Sequence, residues 1–169
     1  MRQQLGPTTR VDYPDGSVAD VELWHSDELV PEGEVFAAMV VLRDELGRCA
    51  VAWSPRRQEW GIPGGVREPG ESVAECAVRE VAEEMGVQLD TAALTPCGSE
   101  RFIPASDFGR WPVGGGSMQL YRATVTGTPE LRAAFDDAVD PQWLTVEEFE
   151  SRAGHRFWWP MVAAAIRAG

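Results

Sequence analysis

The chain is expected to fold as an α/β (α+β) protein in which helices cover a central mixed β-sheet. Three observations predict this. Strand-like apolar stretches lie on both sides of one amphipathic helical segment, two further helical patterns close the chain, and no repeat or long linker divides it. At 169 residues the chain is long enough to bury a sizeable core in one domain of ordinary size.

The first element is a β-hairpin. Residues 8–13 and 18–25 alternate in polarity around Pro14-Asp15-Gly16-Ser17, a strong turn signal. Residues 1–34 therefore read as an N-terminal hairpin extension, with 28–34 connecting it to a main domain at 35–169. That domain opens with a nearly continuous apolar strand at 35–43, a turn at 44–47 and a second strand at 48–54. Residues 59–62 lead into Pro63-Gly64-Gly65, where two glycines let the chain turn sharply and leave backbone carbonyls approachable. Ser72 followed three residues later by Glu75 is a capping box and Gly86 a stop signal, so residues 72–85 are predicted helical. Strands are expected near 93–103 and 118–125, separated by a loop at 104–116 rich in Gly, Pro and aromatic residues. A short strand at 140–144, a helix capped by Thr145 and reaching Arg152, and a last helix at 159–168 complete the series.

The helix at 72–85 carries the most chemistry. On a 3.6-residue period Glu80, Glu83 and Glu84 fall at i, i+3 and i+4 on one face, while Ala74, Val78, Val81 and Met85 form an apolar stripe on another. The stripe is expected to pack the helix and leave the carboxylates outside the core. Three like charges within one turn repel, and near a helix C-terminus they also oppose the macrodipole. A hard divalent cation reverses that balance, because it prefers carboxylate oxygens and lowers the local charge density. A solvated acidic face is the ordinary reading of such a run; the glycines and Arg79 at their spacing weigh against it here.

From Gly65 the order is five residues, Glu71, seven residues, Arg79-Glu80-Val81, one residue, Glu83-Glu84, one residue, Gly86-Val87. This resembles the Nudix box at every defined position, and seven fixed identities coincide by chance only about once in 10⁸ starting points at average residue usage. The resemblance to Nudix hydrolases implies a Nudix-type α/β/α sandwich, Mg²⁺ or Mn²⁺ as cofactor, and hydrolysis of a diphosphate bond in a nucleoside diphosphate linked to another group. It implies Glu80 and Glu84 as metal ligands, Glu83 as ligand or general base, the Gly64 carbonyl as a further ligand, and Arg79 as the anchor that orients the carboxylates. Glu71 would support the ligands from behind, while Glu75 is a cap partner. Asp137, beside Asp136, is a candidate base or extra ligand because it precedes Gln142-Trp143-Leu144, which resembles the family's late strand; an ordinary solvated loop is the equal alternative. Glu100 is a further possible source of the base or the extra ligand.

For substrate contacts, Arg56 and Arg57 suit phosphates by their guanidinium geometry. Trp60, Phe102, Phe108, Trp111 and Tyr121 can offer a stacking wall, and Phe108 and Trp111, in the Gly-rich loop, are the stronger candidates. Tyr13-Pro14-Asp15-Gly16 and Pro104 resemble the ADP-ribose pyrophosphatase branch, whereas Trp53-Ser54-Pro55-Arg56-Arg57 looks more like members that cleave nucleoside triphosphates. ADP-ribose or a nucleotide sugar is thus favoured over a nucleoside triphosphate. A noncatalytic nucleotide-sensing module remains the alternative from another class. An isoprenoid diphosphate isomerase is disfavoured by the intact glutamates.

A formal net charge of -12 argues against general binding of nucleic acid or anionic membranes. Cys49, Cys76 and Cys97 are odd in number and lack CxxC spacing, so neither a disulfide framework nor a zinc site is indicated. The longest apolar run, residues 35–42, is too short to span a bilayer. A soluble cytoplasmic protein with a small-molecule partner is expected, and its N-terminal sheet makes a homodimer plausible by resemblance.

Overall fold

Strand pairing begins at the N-terminus, where a computed structural model describes residues 1–169. The two-residue β1 (Gln3–Gln4) and the hairpin of β2 (Thr9–Asp12) and β3 (Val18–His25) form around the Pro14-to-Ser17 turn, in which Asp15 accepts hydrogen bonds from both the backbone and the hydroxyl of Ser17. β1 carries no periodic signal and had no counterpart among the expected elements. Next come β4 (Val35–Arg43) and β5 (Cys49–Ser54), joined by the tight turn after Arg43, and β6 (Glu59–Gly61), which pairs with β5. Gly64–Val66, expected to be a turn, is a short strand, β7, paired antiparallel with residues 37–39 of β4. Two glycines in three residues have no strand preference of their own; the exposed ladder of β4 imposes the conformation.

Helix α1 (Val73–Met85) starts at Ser72, whose side chain accepts from Glu75 N–H while Glu75 reciprocates, and ends at Gly86 in the left-handed region at φ 70°. A short 3₁₀ turn leads to β8 (Thr95–Pro104), and a loop to β9 (Gly116–Thr124). β10 (Val139–Leu144) pairs with β5 with a register shift after Val139, next to Asp140 at φ 52°. Helices α2 (Val146–Ala153), with a second capping box from Thr145 and Glu148, and α3 (Trp159–Arg167) close the chain.

All the strands join one mixed sheet in the order β1-β3-β8-β9-β4-β5-β10, with β2, β6 and β7 paired alongside. β4 and β9 run parallel and the other pairs antiparallel. The hairpin is continuous with this sheet, because β3 pairs with β8 along its length. Near-continuous apolarity in β4 reflects a strand covered on both faces. Its Ala38, Val40 and Leu42 enter a core under α1, with Val81 and Met85; its Met39 and Val41 enter a second core under α2 and α3, with Phe149 and Met161. The architecture is the α/β/α sandwich with a mixed central sheet. Cys49, Cys76 and Cys97 are all free and buried, and burial pushes their thiols up to about 11, 12 and 12 respectively.

The capping box at the head of α1 is a local stabiliser that touches none of the acidic residues downstream. Ser72→Ala is expected to cost about 1 kcal/mol, lowering Tm by about 2–4 °C in thermal unfolding. An unchanged Tm would show that the cap adds nothing to the docked helix.

Candidate active site

The carboxylates of α1 do not stay outside the core as expected from their periodicity. Glu80 and Glu84 are 7% and 9% exposed, and the buried face of the helix is Val73, Cys76, Ala77, Val81 and Met85 together with these two acids. Ala74 and Val78, expected in the apolar stripe, are only half-buried. The helix is rotated relative to that expectation because β7 gives it a floor. Gly65 has no side chain, and a Cβ there would fall on the Glu80 carboxylate. Gly64 donates its N–H to Glu84 Oε2 at 3.2 Å. Both acids are therefore held down against the backbone of β7.

Arg79 locks the other side. Its Nε donates to Glu71 Oε1 at 2.7 Å and its Nη2 to Glu71 Oε2 at 3.1 Å, a two-pronged pair. Nη1 donates to Glu80 Oε1 at 2.8 Å and Glu83 Oε2 at 3.1 Å, and Nη2 also reaches the Val66 carbonyl at 3.0 Å. One guanidinium thus ties α1 to β7 and to the loop carrying Glu71. It holds Glu71 below the usual carboxylate range, and its own pKa rises in turn. For Glu80 the two influences oppose: burial raises its pKa more than Arg79 lowers it, so the net shift is upward.

Glu84 has no cationic side chain bonded to it. Burial, aided by the charge of Glu80, pushes it up to about 8, against the opposing Gly64 N–H and the positive field of Arg57. Asp137 adds to the upward shift of both Glu80 and Glu84. It is brought near them because the loop after β9 docks on the end of α1: Arg132 N–H donates to the Met85 carbonyl at 2.9 Å and Ala134 N–H to that of Glu83 at 2.7 Å. Asp137 is exposed and Glu83 half-buried, whereas Glu80 and Glu84 are buried. No three acidic side chains converge on one point at ligand distance, since Arg79 holds Glu80 and Glu83. A hard divalent cation fits this donor set by its chemistry. The oxygens are carboxyl oxygens, partly dehydrated, and Glu84 lacks a positive partner, so a cation would compensate the charge that burial disfavours.

On the opposite side of β7 a cavity of about 210 Å³ runs from Gly64 and Gly65 towards the N-terminal hairpin. Arg56, Arg57 and Trp111 line it as expected for substrate-side residues, with Phe102. Phe108 does not: it is 60% exposed and off the cavity wall. Trp60 pairs with Trp53 outside the cavity, and Tyr121 belongs to the core under α1. Trp111 reaches the cavity because its loop folds back at Gly109 (φ 150°), where a Cβ would come 2.5 Å from the indole. Tyr13, Phe36 and Arg110 were not anticipated on this wall. Glu100, expected as a source of the base or an extra ligand, is 4% exposed and lines the cavity because β8 alternates, placing Glu100 and Phe102 inward and Arg101 and Ile103 outward. Burial pushes Glu100 up to about 7, against the field of Arg57.

A fold with this sheet, this helix and this acidic cluster at its end defines a class, and the NUDIX domain profile matches residues 33–164. The chain belongs to the NUDIX family. Among curated relatives, a nucleoside triphosphate pyrophosphatase/Nudix hydrolase fusion protein of Bifidobacterium longum is 29% identical over 119 residues, covering 68% of this chain and 23% of that protein. The mouse nucleoside diphosphate-linked moiety X motif 6 is 54% identical over 35 residues, covering 21% of this chain and 11% of that protein. The chain thus spans a minor part of either relative's length. Among solved structures, a C. elegans Ap4A hydrolase binary complex superposes with a TM-score of 0.58 at 19% identity, covering 79% of this chain and 98% of that one. The NUDIX domain of Shewanella oneidensis NrtR complexed with ADP ribose gives 0.58 at 15% identity, with 80% and 86% covered. These likenesses are of fold. No helix is long and apolar enough to cross a membrane.

The shift on Glu84 has a consequence for stability. Its carboxyl titrates near 4.5 in the unfolded chain and near 8 when folded, so between these values the folded state keeps a proton that the unfolded state releases. Stability of the metal-free protein therefore falls as pH rises through this window. Glu84→Gln is expected to raise the metal-free Tm near pH 8 and to leave it little changed near pH 4.5, checked by scanning calorimetry in EDTA. A lower Tm at the alkaline end would mean that the carboxylate is compensated.

Proposed function

We propose that this chain is a pyrophosphohydrolase dependent on Mg²⁺ or Mn²⁺, cleaving the diphosphate of a nucleoside diphosphate joined to a second group. ADP-ribose or a nucleotide sugar is the favoured substrate. The observation that carries this reading is the buried pair of Glu80 and Glu84 against β7, of which Glu84 has no bonded cation, beside a cavity edged by Arg56 and Arg57. Membership of the NUDIX family, the activities named for the relatives and the ADP ribose held by the NrtR domain support it.

Glu80, Glu84 and the Gly64 carbonyl would hold the metal, and Glu83 would serve as a further ligand or as the base. When bound, the ion neutralises the diphosphate and lowers the pKa of the attacking water. Arg79 positions the carboxylates, through contacts to Glu71, Glu80 and Glu83, without needing to touch substrate. Arg57 lies close enough to Glu84 to shift its titration and is placed to bind phosphate oxygens on the cavity side. Asp137 and Glu83, both reaching solvent, are the groups able to take a proton from water as its oxygen bonds to phosphorus and the bridging P–O bond breaks. The products are two phosphomonoesters, one from each side of the bridge.

The test is a substrate panel of ADP-ribose, nucleotide sugars, dinucleoside polyphosphates and nucleoside triphosphates, with products resolved by chromatography. Turnover is expected with Mg²⁺ or Mn²⁺ and none in EDTA. Glu84→Gln is expected to lower kcat by roughly 10²–10³-fold, the usual scale for removing one preorganised electrostatic group. Saturating metal should also raise Tm, since a ligand at about 100 times its Kd adds about 2.7 kcal/mol to stability. Nucleotide binding without turnover of any panel member would reject hydrolysis and leave a nucleotide-binding module.

A further inference from the structure

The turn between β5 and β6 is held by residues from the far end of the chain. Pro55-Arg56-Arg57-Gln58 closes with the Gln58 N–H on the Ser54 carbonyl at 2.8 Å, and it puts Gln58 in the left-handed region at φ 53°, where a residue with a side chain is uncommon. Arg156, in the link between α2 and α3, donates from Nη2 to the Gln58 carbonyl at 2.8 Å and so holds the turn in that form. Its own backbone is fixed, donating to the Ala153 carbonyl and accepting from Trp159.

The same arginine engages Glu59. Arg156 Nε and Trp158 Nε1 each lie 3.4 Å from Glu59 Oε2, while Arg57 Nε lies 3.4 Å from Oε1. One carboxylate, 12% exposed, therefore stands between two guanidiniums of like charge. The Arg57 Nε is buried and has no hydrogen bond, so attraction to Glu59, not a directed bond, sets where this guanidinium rests. Its Nη2 lies over β6, 3.5 Å from the place of a Cβ on Gly61.

Arg57 has other acids within reach, because its charge is felt at Glu84 and at Glu100. Released from Glu59, a flexible arginine would move to the stronger negative field. That field is at the end of α1, where Glu80 and Asp137 also act on Glu84; the only other acid acting on Glu100 is Glu59 itself. A guanidinium resting on Glu84 would take the one carboxyl to which no cationic side chain is bonded, and a divalent ion would have to displace it.

We infer, on the reading that Glu80 and Glu84 are metal ligands, that Glu59, braced by Arg156 and Trp158, is a positioning residue that keeps Arg57 off Glu84 and so leaves the acidic end of α1 open to a divalent cation. Arg156 contributes twice, by fixing the turn that carries Arg57 and by holding the far oxygen of Glu59.

The experiment is a double-mutant cycle on Mn²⁺ affinity, measured by isothermal titration without substrate. Glu59→Gln keeps the size of the side chain and an acceptor for Trp158 but removes the charge. It is expected to weaken Mn²⁺ binding at least about tenfold, and to change it by less than about twofold in an Arg57→Ala background, since only residues that share a partner couple in this way. A charge acting through the general field, or a loosened fold, would instead lower affinity by the same factor in both backgrounds. Glu59→Asp, which retracts the carboxylate by one methylene, is expected to show a smaller loss with the same dependence on Arg57, and it carries the test if Glu59→Gln does not fold. Unchanged affinity in Glu59→Gln, or equal losses with and without Arg57, would each overturn the role of Glu59 while leaving the metal site standing. A wild-type protein that binds no Mn²⁺ would overturn both. No turnover is measured, so the result is independent of which substrate is cleaved.

Discussion

Helix α1 rests on two residues without side chains. Gly65 leaves the space that the Glu80 carboxylate occupies, and Gly64 supplies the N–H that Glu84 accepts. Any larger residue at Gly65 would push Glu80, and with it the helix, away from the sheet. Burial of the two acids, their upward titration and the arrangement of Arg79 all follow from that approach. Arg79 completes it by spanning the gap from Glu71 to Val66, so that the helix, the preceding loop and β7 behave as one rigid piece. Rigidity keeps these like charges from relaxing away from each other, as the proposed cation site requires.

The sheet divides the remaining work. Alternation along β4 sends one set of side chains to the core under α1 and the other to the core under α2 and α3. β7 is short enough to expose its glycines at the border between the two, so acidic groups lie on one side and an aromatic cavity on the other. Glu59 braces the cavity side, ion-paired with Arg57 and Arg156 and accepting a hydrogen bond from Trp158, thereby tying β6 to the segment before α3. The pairing of β3 with β8 brings the hairpin's Tyr13 to the same wall.

Local signals were the legible ones. Ser72, Glu75 and Gly86 mark both ends of α1 within their own span, and Thr145 does the same for α2. The continuous apolarity of β4 marks a doubly covered strand. The burial of Glu80 and Glu84 was not legible, because helical periodicity alone cannot say which side of a mixed face meets the sheet; β7 decides that, and its two glycines read as a turn. The cavity was hidden for a related reason. Tyr13, Glu100 and Trp111 lie in three segments joined only by strand order, and an acid within a strand gives no sign of facing inward until its neighbours in register are known. The loop aromatics Phe108 and Trp111 looked equivalent, and only the fold at Gly109 turns one inward and leaves the other in solvent.

The three sequestered thiols make the folded chain a poor target for alkylating reagents. Thiolate is the reactive species, and groups held near 11 or 12 supply almost none at neutral pH. A cysteine engineered onto an exposed turn would therefore be the one site that a maleimide dye finds in the native protein. The native thiols would report instead on opening of the two cores: Cys76 on release of α1, Cys49 and Cys97 on loss of the layer beneath α2 and α3.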